Sequence, residues 1–366
     1  MKKALIIFSG YNQRAVVAFL RTLAELNVDY VIIASSSKDT ILSTEYKNKV
    51  IYIREQKELN KDELFKCIDL AKKKLDAKKY IVAPSTEGLN RFMLENYEEF
   101  HELGYDDILP SKELYEQISD KYSFTQICKS YGLVIPGEYT HSNAKFPFVA
   151  KPKKYFSTNN KTYSPVFIRD EAEFSTFKNE YYTRDFYFQE YVSGDSIYIL
   201  FYFYKNGRAI KLSQENLIQQ PNGRSIVAAK LADIHHKKIT EQYQNLFIKL
   251  QYRGLVMVEV SRQKDDYVMI EANPRFWGPS QLFVDAGVNF FEDMLLDWGV
   301  IDSKPKHAKM NKGARYYWSG GVCDDISKMV FHNYDKETYL AENSVWSAYD
   351  IYNRVDTREI YDLEKI

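Results

Sequence analysis

One stretch of the chain, residues 254–278, limits the possible fold more than any other. It holds two apolar, β-branched runs, at 255–260 and 267–272, on either side of a short charged break. This pattern predicts two strands joined by a short hairpin turn. Because side chains alternate between the two faces of a strand, the hairpin also determines which polar residues share a face.

Three oxygen-bearing side chains fall on one face of this predicted hairpin. Glu271 and Asn273 point the same way, and strand pairing can bring Glu259 beside them. Ligands of this kind suit Mg²⁺, with Mn²⁺ as an alternative, and Arg275 follows where it can meet a phosphoryl group or an oxyanion. A surface hairpin with solvated acids is the alternative, but an unpaired charge inside an apolar run is costly.

Composition sets broad limits on the fold and on the partners. At 366 residues and 45% hydrophobic content, the chain can build two or three packed units. Lys+Arg and Asp+Glu each number 50, so no net field favours nucleic acid or a membrane surface, and neither partner is expected. Three widely spaced cysteines predict no disulfide framework, which fits a cytoplasmic protein.

The motif from Glu259 through Glu271-Ala-Asn-Pro-Arg275 resembles the metal-binding motif of the ATP-grasp superfamily, which includes the D-alanine ligases and carbamoyl-phosphate synthetase. The continuation to Gly278 and the segment 285–290 are similar to the uncharacterised carboxylate-amine ligase branch of that superfamily. The resemblance implies an α/β (α+β ATP-grasp) fold, in which a two-subdomain nucleotide-binding module follows an N-terminal domain.

The N-terminal hundred residues alternate apolar runs with amphipathic stretches, which predicts βαβ units and a doubly wound parallel sheet. We therefore expect four parts. They are a Rossmann-like domain at 1–110, linker helices with a small lid subdomain at 111–195, the catalytic subdomain with the metal site at 196–305, and a C-terminal extension packing on the core at 306–366.

Two lysines match positions at which the superfamily binds nucleotide phosphates. Lys121 follows Asp120, the expected N-cap of a helix, and Lys151 ends a strand before Pro152. Solvated lysines are the alternative at both positions. The superfamily's glycine-rich phosphate loop would follow Lys151, but residues 153–161 contain no glycine. Asn, Ser, Thr and Lys can supply turns and donors there.

The segment 186–196 resembles the superfamily's adenine-binding segment. By this resemblance Gln189 accepts a hydrogen bond from the adenine amino group, and the backbone from Glu190 to Val192 pairs with the ring edge. Ser196 stands where relatives place an acid for the ribose, and the neighbouring Asp195 can substitute for that acid. An ordinary hairpin is the alternative, although it does not explain polar residues within an aromatic run.

Four further residues are expected near the substrates. Lys211 can reach phosphate unless it lies on a solvated face, and Arg224 can pair with a substrate carboxylate unless its loop is plain surface. Thr86 and Glu87 can line the wall that the N-terminal domain offers to the substrate site. The alternative at that position is a helix N-cap, which Thr86 suits equally well.

The resemblance implies an ATP- and Mg²⁺-dependent ligase that joins a carboxylate to an amine through an acyl phosphate, with Arg275 stabilising the oxyanion. The expected partners are small-molecule carboxylate and amine substrates, and a homodimer is left open. A small-molecule kinase and a non-catalytic nucleotide-binding protein are the alternatives. Both alternatives keep the fold. The kinase stops at phosphorylation of its substrate, whereas the non-catalytic protein has no turnover.

Overall fold

The computed structural model describes residues 2–102, 104–105, 108–264, 266–306 and 309–364. Its first sheet is parallel, in the order β3-β2-β1-β4, and belongs to the N-terminal part of the chain. The strands are β1 (Lys3–Phe8), β2 (Tyr30–Ala34), β3 (Val50–Ile53) and β4 (Lys79–Val82). The helices are α1 (Gln13–Glu25), α2 (Lys61–Lys74), α3 (Glu87–Glu95) and α4 (Tyr97–Glu102).

Alternating side chains of this sheet supply two separate cores, as a doubly wound sheet requires. Leu5 and Ile7 of β1 pack with α1, whereas Ala4 and Ile6 pack with α2 on the other face. Asn60 starts α2 by accepting hydrogen bonds from the next backbone amides. The predicted doubly wound parallel sheet is therefore confirmed.

A second, antiparallel sheet has the order β5-β8-β6-β7. Its strands are β5 (Glu138–Tyr139), β6 (Phe148–Pro152), β7 (Val166–Ile168) and β8 (Phe186–Glu190). The helices in this part of the chain are α5 (Lys112–Ser119), α6 (Lys121–Ser130) and α7 (Glu171–Glu180). An aromatic core that includes Phe148, Phe174 and Phe188 fills one face. The opposite face carries Lys151 and Tyr187, which are directly paired across β6 and β8.

The third sheet is also antiparallel and has the order β13-β12-β9-β10-β11-β14, with β15 paired to β10. Its strands are β9 (Asp195–Phe203), β10 (Ala209–Gln219), β11 (Ile226–Ala232), β12 (Gly254–Gln263), β13 (Asp266–Asn273), β14 (Arg315–Tyr317) and β15 (Val330–Phe331). The helices from this point of the chain are α8 (Lys238–Lys249), α9 (Gln281–Asp285), α10 (Phe290–Asp297), α11 (Lys336–Ala341), α12 (Asn343–Ser347) and α13 (Arg358–Glu364).

The two faces of the third sheet have different neighbours. Ile197, Ile199 and Phe201 pack against α6 and α8, while Tyr198 and Leu200 point to the opposite face and join the core that contains α1. That second core continues through ring contacts such as Phe19 with Phe276, whose centroids are 5.2 Å apart. The N-terminal domain and the third sheet therefore share one continuous core.

The residues after position 305 are built into both neighbouring units. β14 extends the third sheet through pairing with β11, and Asp356 forms an ion pair of 2.9 Å with Arg21 of α1. The predicted boundaries at 110, 195 and 305 stay predictions. Among the helices of the described residues, none is both long and apolar enough to cross a bilayer.

Candidate active site

Glu259 and Glu271 face each other on adjacent strands of the third sheet. They are directly paired between β12 and β13, and Asn273 donates to Glu271 Oε1 at 2.7 Å. Ser196 on β9 donates its hydroxyl to Glu259 Oε1 at 2.8 Å, and Asn216 donates to Ser196 at 2.8 Å. The predicted hairpin and the predicted common face of Glu259, Glu271 and Asn273 are thus both present.

Their neighbours give the two buried carboxylates different acid strengths. Burial and the neighbouring Glu271 raise the pKa of Glu259 to about 7. For Glu271 burial acts in the same direction, but Lys121 and the hydrogen bond from Asn273 outweigh it and lower its pKa to about 2. Two like charges held this close are costly unless a cation lies between them.

Lys121 and Lys151 reach the carboxylates from two different elements. Lys121, at the start of α6, forms an ion pair with Glu271 that raises the lysine pKa despite its burial. Lys151 of β6 donates to the carbonyl of Ile270 at 2.9 Å. Burial and the charge of Lys121 lower the pKa of Lys151 to about 8. The structure therefore brings both predicted phosphate lysines to the predicted metal ligands.

Arg275 also lies beside these ligands. Its Nη2 is 3.3 Å from Asn273 Oδ1, and its Nη1 donates to the carbonyl of Phe276 at 2.9 Å. The proposed ligand set thus has two carboxylates and one amide, surrounded by three cationic side chains. Within the described ranges, no three or more His, Cys, Asp or Glu side chains are grouped to hold a metal ion.

Gln189 is a fully buried amide without a hydrogen-bond partner. Its side chain has no solvent exposure, and within the described residues neither Oε1 nor Nε2 has a partner. Gln189 pairs with Val149, so it lies on the same face of the second sheet as Tyr187 and Lys151. An unsatisfied buried amide costs about 1–3 kcal/mol, which suggests that a ligand completes it.

The rest of the predicted adenine segment is exposed or half-buried. The backbone amide of Glu190 donates to the carbonyl of Gly137 at 2.7 Å, and its carboxylate accepts from the amide of Gly137 at 3.3 Å. Val192 is half-buried in the connection between β8 and β9. Their predicted pairing with an adenine edge stays a prediction.

Asp195 and Ser196 bind other side chains in the structure, and their predicted ribose contacts stay predictions. Asp195 is paired in register with Arg262 and binds its guanidinium at 2.7 Å. Alternation along β9 places this ion pair on the face opposite Glu259. Ser196 lies on the correct face, but its hydroxyl orients Glu259. Register, which the sequence did not specify, decides both outcomes.

Lys211 is likewise not brought to the site. It is paired in register with Phe201, whose side chain packs on the α8 side of the third sheet, and it lies near His235. Because Glu259 points to the other face, Lys211 lies on the face opposite the proposed metal ligands, and its predicted phosphate contact stays a prediction.

The predicted substrate residues have mixed placements. Thr86 caps α3 by accepting from the amide of Leu89 at 3.2 Å, so its oxygen serves the helix. Glu87 binds Arg91 at 3.0 Å and raises the pKa of Lys121, so it lies close to the site. Arg224 is exposed in the loop between β10 and β11, and its role stays a prediction.

The glycine-free loop at 153–161 is held at two points. Thr158 donates its amide and hydroxyl to Asp185 at 3.0 and 2.5 Å. Tyr155 donates its amide to Asp120 at 3.2 Å, and the Arg91 guanidinium carbon is 4.6 Å from its ring centroid. Asp120 occupies the predicted N-cap position of α6, but its side chain makes no cap hydrogen bond because its carboxylate binds Arg91 and this loop.

Sequence reasoning missed Tyr198, which lies on the site face, and Arg14 of α1, which contacts the same sheet. Tyr198 is opposite Glu259 on the neighbouring strand and is 7% exposed. Arg14, in the first turn of α1, reaches Ser225 of the third sheet's loop at 3.1 Å. Period-2 alternation from Ser196 could have indicated Tyr198, but no local pattern indicates a contact between residues so far apart as Arg14 and Ser225.

Comparisons with known proteins agree with this architecture. Residues 118–279 match the family model described as an ATP-grasp domain, whereas no curated protein matches the chain. The biotin carboxylase domain dimer of Hydrogenobacter thermophilus 2-oxoglutarate carboxylase, solved with MgADP, ADP and bicarbonate, is 14% identical. Its TM-score is 0.63 over 86% of this chain and 72% of that chain.

Two further solved structures give similar values. Biotin carboxylase from Campylobacter jejuni, in complex with β-γ-ATP, is 15% identical with a TM-score of 0.63 over 86% of this chain and 74% of that chain. N5-carboxyaminoimidazole ribonucleotide synthetase from Thermus thermophilus is 12% identical, with a TM-score of 0.61 over 84% of this chain and 81% of that chain. At these identities the likeness shows the fold.

Residues 118–279 therefore form an ATP-grasp domain behind an N-terminal parallel-sheet domain. The match of residues 118–279 to this family model agrees with the fold and the superfamily predicted from Glu259 and the 271–275 motif. The predicted enzyme class, an ATP-dependent ligase that uses ATP and Mg²⁺, agrees with these matches.

Proposed function

We propose that this chain is an ATP- and Mg²⁺-dependent ligase that joins a small carboxylic acid to an amine through an acyl phosphate. The observation that carries the proposal is the convergence of Glu259 and Glu271, directly paired across two strands, with Lys121, Lys151 and Arg275 around them. This arrangement suits the transfer of a phosphoryl group between two anions.

Glu259, Glu271 and Asn273 would hold the Mg²⁺. The set fits a hard cation, because it supplies oxygen ligands and because two buried carboxylates face each other there. Bound Mg²⁺ would neutralise phosphate charge. Ser196 and Asn216 fix the Glu259 side chain from the neighbouring strands, so its orientation is set before any ligand binds.

The cations around this site have separable tasks. Lys151 projects from the second sheet toward the third, so it can bridge phosphate oxygens between the two sheets. Lys121 is held against Glu271 and can move a short distance to a phosphate. Arg275 can stabilise the oxyanion that forms when an amine attacks the acyl carbon. No nucleophilic side chain of the protein is needed.

Gln189 supports an adenine nucleotide as the phosphate donor. An amide that lacks both partners can accept from the exocyclic amino group of adenine and donate to a ring nitrogen. Its position on the face that carries Lys151 places base and phosphate contacts on the same surface of the second sheet. The proposed partners are small molecules, and a homodimer is part of the proposal because one structural neighbour was solved as a dimer.

The deciding experiment measures condensation directly. The purified chain is incubated with Mg²⁺-ATP and a panel of amino acids, singly and in pairs, while phosphate release and product mass are recorded. We expect full phosphate release only when an acid and an amine are both present, with a product one water lighter than the summed substrates. A phosphorylated product without condensation would make the chain a kinase, and no turnover with any pair would favour a non-catalytic nucleotide-binding protein.

A further inference from the structure

Arg14 presents a fixed guanidinium where three parts of the chain meet. Its Nη1 donates to the carbonyl of Ile226 and to the hydroxyl of Tyr316, each at 3.0 Å, and its Nη2 donates to the hydroxyl of Ser225 at 3.1 Å. The guanidinium carbon lies 3.8 Å from the ring centroid of Trp318. These contacts orient the group before any ligand arrives.

One edge of this guanidinium has no protein partner. Within the described part of the chain Arg14 forms no ion pair, and its Nε and one Nη2 hydrogen are unbonded. Arg21 uses the same two nitrogens to bind both oxygens of Asp356, at 2.9 and 3.1 Å. Gly278 permits close packing against the guanidinium, since a Cβ at that position would lie 3.1 Å from Nη2, 3.2 Å from Cζ and 3.5 Å from Nη1. A carboxylate is the natural ligand for such an edge.

Tyr198 connects this edge to the proposed metal ligands. It is opposite Glu259 in register, and its side chain is 7% exposed. Burial raises its pKa well above the ordinary value. Glu259 and Glu271 raise it further, while Arg275 and Arg14 lower it, so these four charges lie around the phenol. Gly278, which lies against the Arg14 guanidinium, is three residues after Arg275, so Arg14 lies beside the end of the motif that carries the proposed metal ligands.

We propose that the amine substrate is an aminocarboxylate, an α-amino acid or a short homologue, whose carboxylate binds Arg14 while its amine lies beside Arg275. This inference rests on the proposed ligase function. In the condensation the amine nitrogen forms the C–N bond, the acyl C–O bond to phosphate breaks, phosphate leaves, and the amine releases one proton to solvent. A carboxylate on Arg14 and an amine near Arg275 would place Tyr198 along the substrate's length.

The test compares each amine with a form that lacks the carboxylate. Amino acids of increasing length between amine and carboxylate, such as alanine, β-alanine and 4-aminobutyrate, are assayed with Mg²⁺-ATP beside their primary amides. We expect the acids to exceed the amides by about tenfold or more in kcat/KM. Arg14→Gln should raise KM for the productive acid by about 10- to 100-fold, leaving KM for its amide and the Kd of ATP unchanged.

Further variants separate binding from folding. Gly278→Ala fills the space beside the guanidinium without removing its anchors, so it should raise the same KM, whereas Arg208→Gln on the exposed β9–β10 turn should not. Amides used as well as acids, or an unchanged KM in both Arg14→Gln and Gly278→Ala, would overturn the Arg14 assignment while the ligase stands. If no amine condenses although ATP binds, the ligase proposal fails and this inference fails with it.

Discussion

At the scale of single residues, the candidate site is a balance of buried charge. Glu259 and Glu271 repel each other, and Lys121 and Asn273 offset that repulsion mainly at Glu271. The two carboxylates therefore differ in proton affinity although they are directly paired. Environments that separate the pKa values of two carboxyl groups in this way are typical of functional sites rather than of packing.

Replacing Glu271 by Gln should abolish turnover and leave the fold intact. The change removes a proposed metal ligand but keeps an oxygen that can accept from Asn273, so we expect a loss of about 100-fold or more in kcat and less than about 2 kcal/mol in the free energy of unfolding. Steady-state phosphate release and urea unfolding measure the two quantities.

Glu215→Gln is the matched control for this change. Glu215 is a buried acid on the opposite face of the same sheet, where it binds Arg262 and Lys230. Its replacement should leave kcat unaltered. Near-normal turnover of Glu271→Gln at limiting Mg²⁺ would show that Glu271 is not a metal ligand.

Gln189 offers a test in which affinity and stability change in opposite directions. Gln189→Leu removes a buried amide that has no partner, so the nucleotide-free protein should gain about 1 kcal/mol in the free energy of unfolding. The same change should weaken ATP binding by about tenfold and reduce any preference for ATP over ITP, which lacks the amino group. Calorimetric titration with both nucleotides gives the answer. Higher stability with unchanged ATP affinity would show that Gln189 is a buried, unsatisfied amide that does not bind the nucleotide.

At the scale of elements, local pattern predicted the hairpin but could not predict every face. The alternation that joins Glu271 to Asn273 lies within one strand, so the sequence alone carries it. The partners of Asp195 and Lys211 depend on register between strands, which only the folded sheet defines. The glycine-free loop is a middle case, since Asn160 does adopt the positive φ, 57°, that an asparagine permits.

This loop should order with nucleotide and loosen when its tyrosine is removed. Tyr155 packs on Arg91, an interaction typically contributing about 1 kcal/mol, so Tyr155→Leu should speed hydrogen exchange of residues 153–161 about fivefold without nucleotide. Mg²⁺-ATP should restore protection in both proteins. Tyr11→Leu, at an exposed tyrosine outside this loop, is the control and should change little. Equal exchange with and without Mg²⁺-ATP would identify a fixed structural loop.

At the scale of the whole molecule, the C-terminal segment fastens the N-terminal domain to the third sheet. Asp356 accepts from both Arg21 and Tyr46, at 2.9 and 2.8 Å, and Arg354 binds Asp285 at 2.5 Å. The sequence predicted that residues 306–366 pack on the core, but no local pattern indicates these partners, which lie far away in the chain. Arg14 was missed for the same reason, because its partners come from β11 and β14, which only the fold brings to α1.

The last turn of this segment makes stability depend on pH. Glu364 accepts from the indole Nε1 of Trp318 at 3.0 Å, and a Cβ on Gly320 would lie 2.4 Å from its carboxyl carbon, so the glycine permits this close packing. Burial and the nearby Asp350 together raise the pKa of Glu364 from 4.5 to about 7, against the effects of Trp318 and Arg14.

The sign of the effect follows from proton uptake. Between about pH 4.5 and about pH 7 the folded chain holds a proton at Glu364 that the unfolded chain has released, so the free energy of unfolding falls as pH rises through this window. Glu364→Gln keeps an acceptor for the indole and cannot ionise. Relative to the wild type it should therefore gain about 1–2 kcal/mol between pH 4 and pH 8, as measured by urea unfolding at both pH values. Asp362→Asn, an exposed acid of the same helix, should show no such gain, and a constant difference between Glu364→Gln and wild type across this range would mean that Glu364 titrates alike in both states.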